Sequence, residues 1–130
     1  MKINQIKETC LYVSDLEKTK EFYHNKLGLE LMVLEEDHHV FFRAGTSVLL
    51  CFIPEYSKAK QELPFHYSAG PIHFAFQVDK DQYEDWKQKI EEAGIEIEHE
   101  QSWGNDLLSF YFRDPDNNLA EIVMTGMWDL

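Results

Sequence analysis

The chain has 130 residues, 44% of them hydrophobic and 28% charged, and a formal net charge of −12. That length supports one domain with a single substantial core and excludes two independent ones. The acidic balance excludes a nucleic-acid partner, which needs clustered Lys and Arg, and favours cationic small molecules and divalent metal ions.

Residues 6–13 alternate and predict a strand, with Glu8, Cys10 and Tyr12 on one face and Thr9, Leu11 and Val13 on the other. Ser14 and Asp15 are capping residues for a helix whose buried stripe is Leu16, Thr19, Phe22, Tyr23 and Leu27, and Gly28 ends it. Three strands follow at 29–35, 39–44 and 47–53, joined by turns at 36–38 and 45–46. A linker runs from Pro54 to Gly70 and carries the partly apolar stretch Leu63-Pro64-Phe65-His66-Tyr67.

The order then repeats. A strand at 71–78 puts His73, Ala75 and Gln77 on one face and Phe74, Phe76 and Val78 on the other. A helix at 81–93 buries Tyr83, Trp86 and Ile90 and stops at Gly94. Strands at 95–99, 107–113 and 119–124 complete the half, with Asp114-Pro115-Asp116-Asn117-Asn118 as a tight turn. Each half passes through an Arg, Arg43 or Arg113, just before its final turn, and the echo sets Glu8 opposite His73 at one point of two equivalent strands. These are two βαβββ modules, at 6–53 and 71–124, within one domain of residues 1–130. The fold class is α+β, with curved mixed sheets around a concave trough and helices on the convex side. The polar first-strand faces are the ones expected to line that trough.

No apolar run approaches the roughly 18 residues of a membrane span. The first seven residues lack the apolar region of a secretory signal, and Cys10 and Cys51 cannot make a disulfide framework. A cytoplasmic location, with no membrane partner, is the expectation.

Glu8-Thr9-Cys10-Leu11-Tyr12-Val13-Ser14-Asp15-Leu16, Phe22-Tyr23, Leu27-Gly28-Leu29, Ile72-His73-Phe74-Ala75-Phe76 and the stretch from Tyr111 through Asp114-Pro115-Asp116-Asn117-Asn118 to Glu121-Ile122 closely resemble the vicinal oxygen chelate superfamily. That family includes glyoxalase I, bleomycin-resistance proteins, extradiol dioxygenases and fosfomycin-resistance enzymes, and the resemblance covers nearly the whole chain. It implies one divalent metal ion held by Glu8, His73 and Glu121. Family members usually have His at the first of these places, so Glu8 is a departure. Two carboxylates and one imidazole form a hard, negative donor set that accepts Zn²⁺, Ni²⁺, Mn²⁺ or Fe²⁺ and leaves positions open for substrate. Glyoxalase I also needs a Glu near the end of the first half. The repeat puts that place on Leu49 or Cys51, so a strict methylglyoxal–glutathione activity is not expected.

Three residues are candidates for catalysis: Glu121, Tyr111 and Cys10. Tyr111 stands where extradiol dioxygenases have an active-site Tyr. Cys10 shares the face of Glu8, at a place where thiol-transferring fosfomycin enzymes have Thr or Cys, but their basic phosphonate-binding residues are not evident here and that reading is set aside. Tyr12, Phe42, His66, Trp103 and Trp128 are candidate substrate-binding residues, with Phe65, Tyr67 and Met127 beside them, and His38 or His39 within reach. The leading expectation is a metal-dependent, glyoxalase-like lyase or isomerase acting on a small substrate chelated through vicinal oxygens. The alternatives are a non-catalytic drug- or metabolite-binding protein of the bleomycin-resistance type and an extradiol-type dioxygenase. A homodimer is expected, with the modules packed within a chain or exchanged between two.

Overall fold

A computed structural model describes residues 1–59, 63–64 and 66–129, which places Phe65 outside the described residues. The chain divides into two compact units, Met1–Gly70 and Pro71–Leu130. The first contains β1 (Glu8–Tyr12), α1 (Leu16–Lys20) with a π-helical continuation (Glu21–Lys26), β2 (Glu30–Glu35), β3 (His39–Ala44), β4 (Ser47–Phe52) and α2 (Pro54–Lys58). The second contains β5 (His73–Val78), α3 (Tyr83–Glu92) after a 3₁₀ turn, β6 (His99–Ser102), β7 (Leu108–Arg113) and β8 (Leu119–Met124). The two sheets have matching orders, β1-β4-β3-β2 and β5-β8-β7-β6. In each, the outer first strand runs parallel to the last, and the remaining pairs are antiparallel. The fold is therefore α+β, made of tandem βαβββ modules with mixed sheets.

Asp15 caps α1 by accepting a hydrogen bond from the Lys18 N–H at 3.0 Å. The helix then widens: Leu27 N–H donates to the Phe22 carbonyl at 3.1 Å, five residues back, and Leu29 N–H to the Tyr23 carbonyl at 3.0 Å. Gly28, at φ +84°, supplies the left-handed residue this ending requires. The widened turn buries both neighbours, Phe22 and Tyr23, and sets the Tyr23 ring 5.6 Å from Phe42. Leu11, Val40, Phe42, Leu49 and Cys51 form the helix-covered face of the first sheet. In the second, Phe110, Phe112, Ala120 and Ile122 do the same with Tyr83 and Ile90 of α3.

Two sequence expectations are corrected. The strand expected at 95–99 begins only at its last residue. Ile95 N–H donates back to the Ile90 carbonyl at 3.1 Å to finish α3, and its side chain is buried, so the chain meets β7 only at Glu98 and His99. The linker carries a short helix, α2, not expected from its polar composition; Pro54 in its first turn favours the helical start. No helix of the described residues is long and apolar enough to cross a membrane.

Candidate metal and substrate site

The tight turn expected at 114–118 positions the first candidate ligand. Asp114 is buried, and its Oδ1 accepts from the Asp116 and Asn118 N–H groups at 3.0 and 2.8 Å. Its Oδ2 accepts from Asn118 Nδ2 at 3.0 Å, and Asn118 Oδ1 accepts from the Ile72 N–H at 2.9 Å. Asn117, at φ +67°, takes the left-handed place that Asn tolerates. The turn therefore fixes the start of β5 against β8 one residue before His73. Asp114 and Asn118 were legible in sequence only as turn formers, without this role.

His73 lies opposite Leu119 in the parallel ladder. Its Nδ1 lies 2.9 Å from the Leu119 carbonyl. A carbonyl only accepts, so Nδ1 carries the proton and donates it. The neutral ring then has its lone pair on Nε2, the arrangement that metal-ligating histidines adopt. Nε2 lies 3.2 Å from Glu121 Oε1. The His73 side chain is half exposed, whereas that of Glu121 is 9% exposed. With an ion between them, the two are adjacent donors. The pair fits a divalent ion on the chemistry of its donors. Among the described residues no three His, Cys, Asp or Glu side chains converge as a metal-binding group, so His73 and Glu121 stand together as a pair.

Tyr111 lies opposite Glu121 on β7. Its phenol is raised above the ordinary value, first by burial; a hydrogen bond with Ser109 opposes this, while the charge of Glu121 and hydrogen bonding to it add. Trp103 donates its indole N–H to Ser109 Oγ at 3.0 Å and leaves more than half of its surface exposed. Trp128, near the end of the chain, is exposed as well. His99 faces Tyr111 with ring centroids 6.0 Å apart and accompanies it on the open face of the sheet.

In the first unit Glu8 lies opposite Val48, as His73 lies opposite Leu119, so the two candidate ligands hold equivalent places. The counterpart of Glu121 is Leu50, which pairs with Cys10 and Phe41 as Glu121 pairs with Ala75 and Tyr111. The expectation of Leu49 or Cys51 is corrected: both point to the helix-covered face and are buried. Phe42 is corrected for the same reason. It is fully buried under α1, and its neighbour Phe41 takes the open face. Tyr12 shares a 2.7 Å hydrogen bond with His66 Nδ1 and an edge contact with Tyr67, with ring centroids 6.0 Å apart. Its phenol is raised, by burial first and then by Cys10. The His66 ring meets Phe52 edge-on at 4.6 Å and that of His39 stacks on Phe41 at 4.2 Å. Aromatic and imidazole rings thus share the open face of this unit with Glu8, and Leu50 takes the place that Glu121 has in the other.

Comparison with known proteins matches residues 2–122 to the model of the Glyoxalase/Bleomycin resistance protein/Dioxygenase superfamily. The chain belongs to this superfamily. It is similar to a lactoylglutathione lyase from Agrobacterium tumefaciens, with 34% identity over 98% of each chain and a TM-score of 0.92. Among curated proteins it is 31% identical to the glutathione transferase FosA of Serratia marcescens, over 92% of this chain and 80% of that one. It is 28% identical to the metallothiol transferase FosB of Staphylococcus saprophyticus, over 92% of this chain and 76% of that one. The chain is thus related to enzymes, among them a lyase and two thiol-using transferases.

Proposed function

We propose that this superfamily member is a divalent-metal-dependent enzyme that acts on a small substrate bound through two neighbouring oxygens. The observation that carries the reading is His73: its Nδ1 is committed to the Leu119 carbonyl, so Nε2 is the nitrogen presented beside Glu121. Glu8, at the equivalent place of the other unit, is the proposed third donor, supplied by the same chain or by the partner of a dimer. Zn²⁺, Ni²⁺, Mn²⁺ and Fe²⁺ all suit two carboxylates and an imidazole. When bound, the ion supplies Lewis-acid stabilisation of an oxyanion. Glu121 accepts or returns a proton, Tyr111 donates a hydrogen bond to Glu121 or to a substrate oxygen, and Cys10 lies on the substrate-facing side of β1. Tyr12 and His66, with Phe41 in place of Phe42, form the aromatic surface for the substrate body, and Trp103 and Trp128 are the substrate-binding residues of the second unit.

The reaction we favour is a glyoxalase-like isomerisation or lyase step. Thiol transfer to an electrophile is the second reading, because two relatives are a glutathione transferase and a metallothiol transferase and a third is a lactoylglutathione lyase. Protein loaded with each metal is to be assayed with the methylglyoxal–glutathione hemithioacetal, with a thiol plus an epoxide, and with catechols. Turnover in one class, abolished in Glu121→Gln, is expected. Turnover equal to that variant in every class would remove the enzymatic reading.

A further inference from the structure

The chain has two arginines in all, Arg43 and Arg113. They occupy equivalent places in the two sheets: Arg43 lies opposite Val48 on β3, and Arg113 opposite Leu119 on β7. Each is therefore in the same cross-strand row as one candidate ligand, Arg43 with Glu8 and Arg113 with His73. Both point to the open face, because their neighbours Phe42 and Phe112 point into the core.

Their engagement differs. Arg113 Nε donates to Glu98 Oε2 at 2.9 Å, its NH2 group faces Glu98 Oε1 at 3.5 Å, and its NH1 group donates to the Asn117 carbonyl at 3.1 Å. That guanidinium is a strut that ties the residue before β6 to the turn before β8. The nearest approach of Arg43 to Glu30 is from Nε, at 3.8 Å, and that Glu is 70% exposed. This distance is too long for a hydrogen bond, and exposed pairs of this kind are weak. The planar fork of donors at Arg43 is therefore available, on a 41% exposed side chain in a chain whose net charge is −12. Neighbouring strands are about 4.8 Å apart, so Glu8 and Arg43, two strands apart, are separated by about 10 Å at the backbone. That spacing admits one small ligand between a guanidinium and a Glu8-bound ion.

We infer that Arg43 is an anion-binding, specificity-determining residue that takes an oxyanion group, carboxylate or phosphonate, of a substrate. Bidentate recognition of such groups is what guanidinium does best, and Lys would not replace it fully. The inference rests on the metal-enzyme reading for the identity of the ligand as substrate, but anion binding at Arg43 stands or falls without the ion.

Two arginines make the test direct. The side-chain Nε–H resonances of the metal-free and the Zn²⁺-loaded full chain are followed by nuclear magnetic resonance during titration with pyruvate and, separately, with phosphonoacetate, the peaks being assigned from Arg43→Lys and Arg113→Lys. Saturable movement of the Arg43 peak with at least one probe is expected, with the Arg113 peak fixed. Affinity should fall about tenfold in Arg43→Gln and recover only in part in Arg43→Lys. Glu30→Gln, which removes the competing carboxylate, should tighten binding. Zn²⁺ affinity by calorimetry should be unchanged in Arg43→Gln. Equal movement of both peaks, or no movement of Arg43 with either probe in both metal states, would overturn the inference. A protein that binds no Zn²⁺ yet moves Arg43 would keep the anion site and contradict only the metal reading.

Discussion

Asn118 joins the turn to the site through three hydrogen bonds, two with Asp114 and one from the Ile72 N–H. Asn118→Ala removes the acceptor of the half-buried Ile72 N–H and one side-chain donor to the buried Asp114 carboxylate. A loss of about 1–3 kcal/mol in chemical denaturation is expected, together with weaker metal binding, because His73 follows Ile72 directly. Tyr111→Phe should act differently. The equivalent place in the first unit is already filled by Phe41, so the sheet accepts that ring. Stability should change by under about 1 kcal/mol, while metal affinity, measured by calorimetry, falls with the hydrogen bonding to Glu121. Equal metal affinities in wild type and Tyr111→Phe would remove Tyr111 from the site. At this scale the sequence showed His73 and Glu121 as a matched pair of chemical types, yet not their 3.2 Å approach, which depends on a ladder register invisible to alternation alone.

α3 is tied to β6 by a part-buried polar contact. Tyr83 donates its hydroxyl to Glu100 Oε2 at 2.8 Å, and Lys87 Nζ meets Oε1 at 3.0 Å. For Glu100, burial acts to raise the pKa, but the bonds from Lys87 and Tyr83 outweigh it and the net shift is downward. Tyr83 and Lys87 are shifted upward, Tyr83 by burial first and Lys87 by its bond to Glu100 first. A carboxylate with a depressed folded-state pKa stabilises fully above its unfolded value, and the contribution is lost as pH falls through the folded value. A Glu100→Gln variant should therefore lose stability at neutral pH and show a shallower acid limb than wild type; parallel acid limbs would contradict this. Alternation and helical stripes in the sequence were enough to place the β1, β3, β4, β7 and β8 strands and the α1 stripe. The start of β6 was misjudged because Ile95 reads as a strand residue while its N–H is already used by α3. Phe42 was misassigned by one step of a period-two pattern, an error that reverses the face.

Across the molecule, the duplication leaves the His73–Glu121 pair on one unit only, with Leu50 and Phe41 of the other where Glu121 and Tyr111 stand. A proposed homodimer would be seen as twice the chain mass by light scattering at micromolar concentration, and a monomer would contradict it. An ion that binds only the folded chain must raise its melting temperature by linkage, and the rise should vanish in His73→Ala. Metal binding at His73 and Glu121 is tested by calorimetric titration of the chelator-treated chain with Zn²⁺ and Mn²⁺, in wild type and Glu121→Gln. Saturation near one ion per chain in wild type, and binding weakened by tenfold or more in the variant, is the predicted result. No saturable binding of either ion to wild type, or equal affinity in the two proteins, would contradict it.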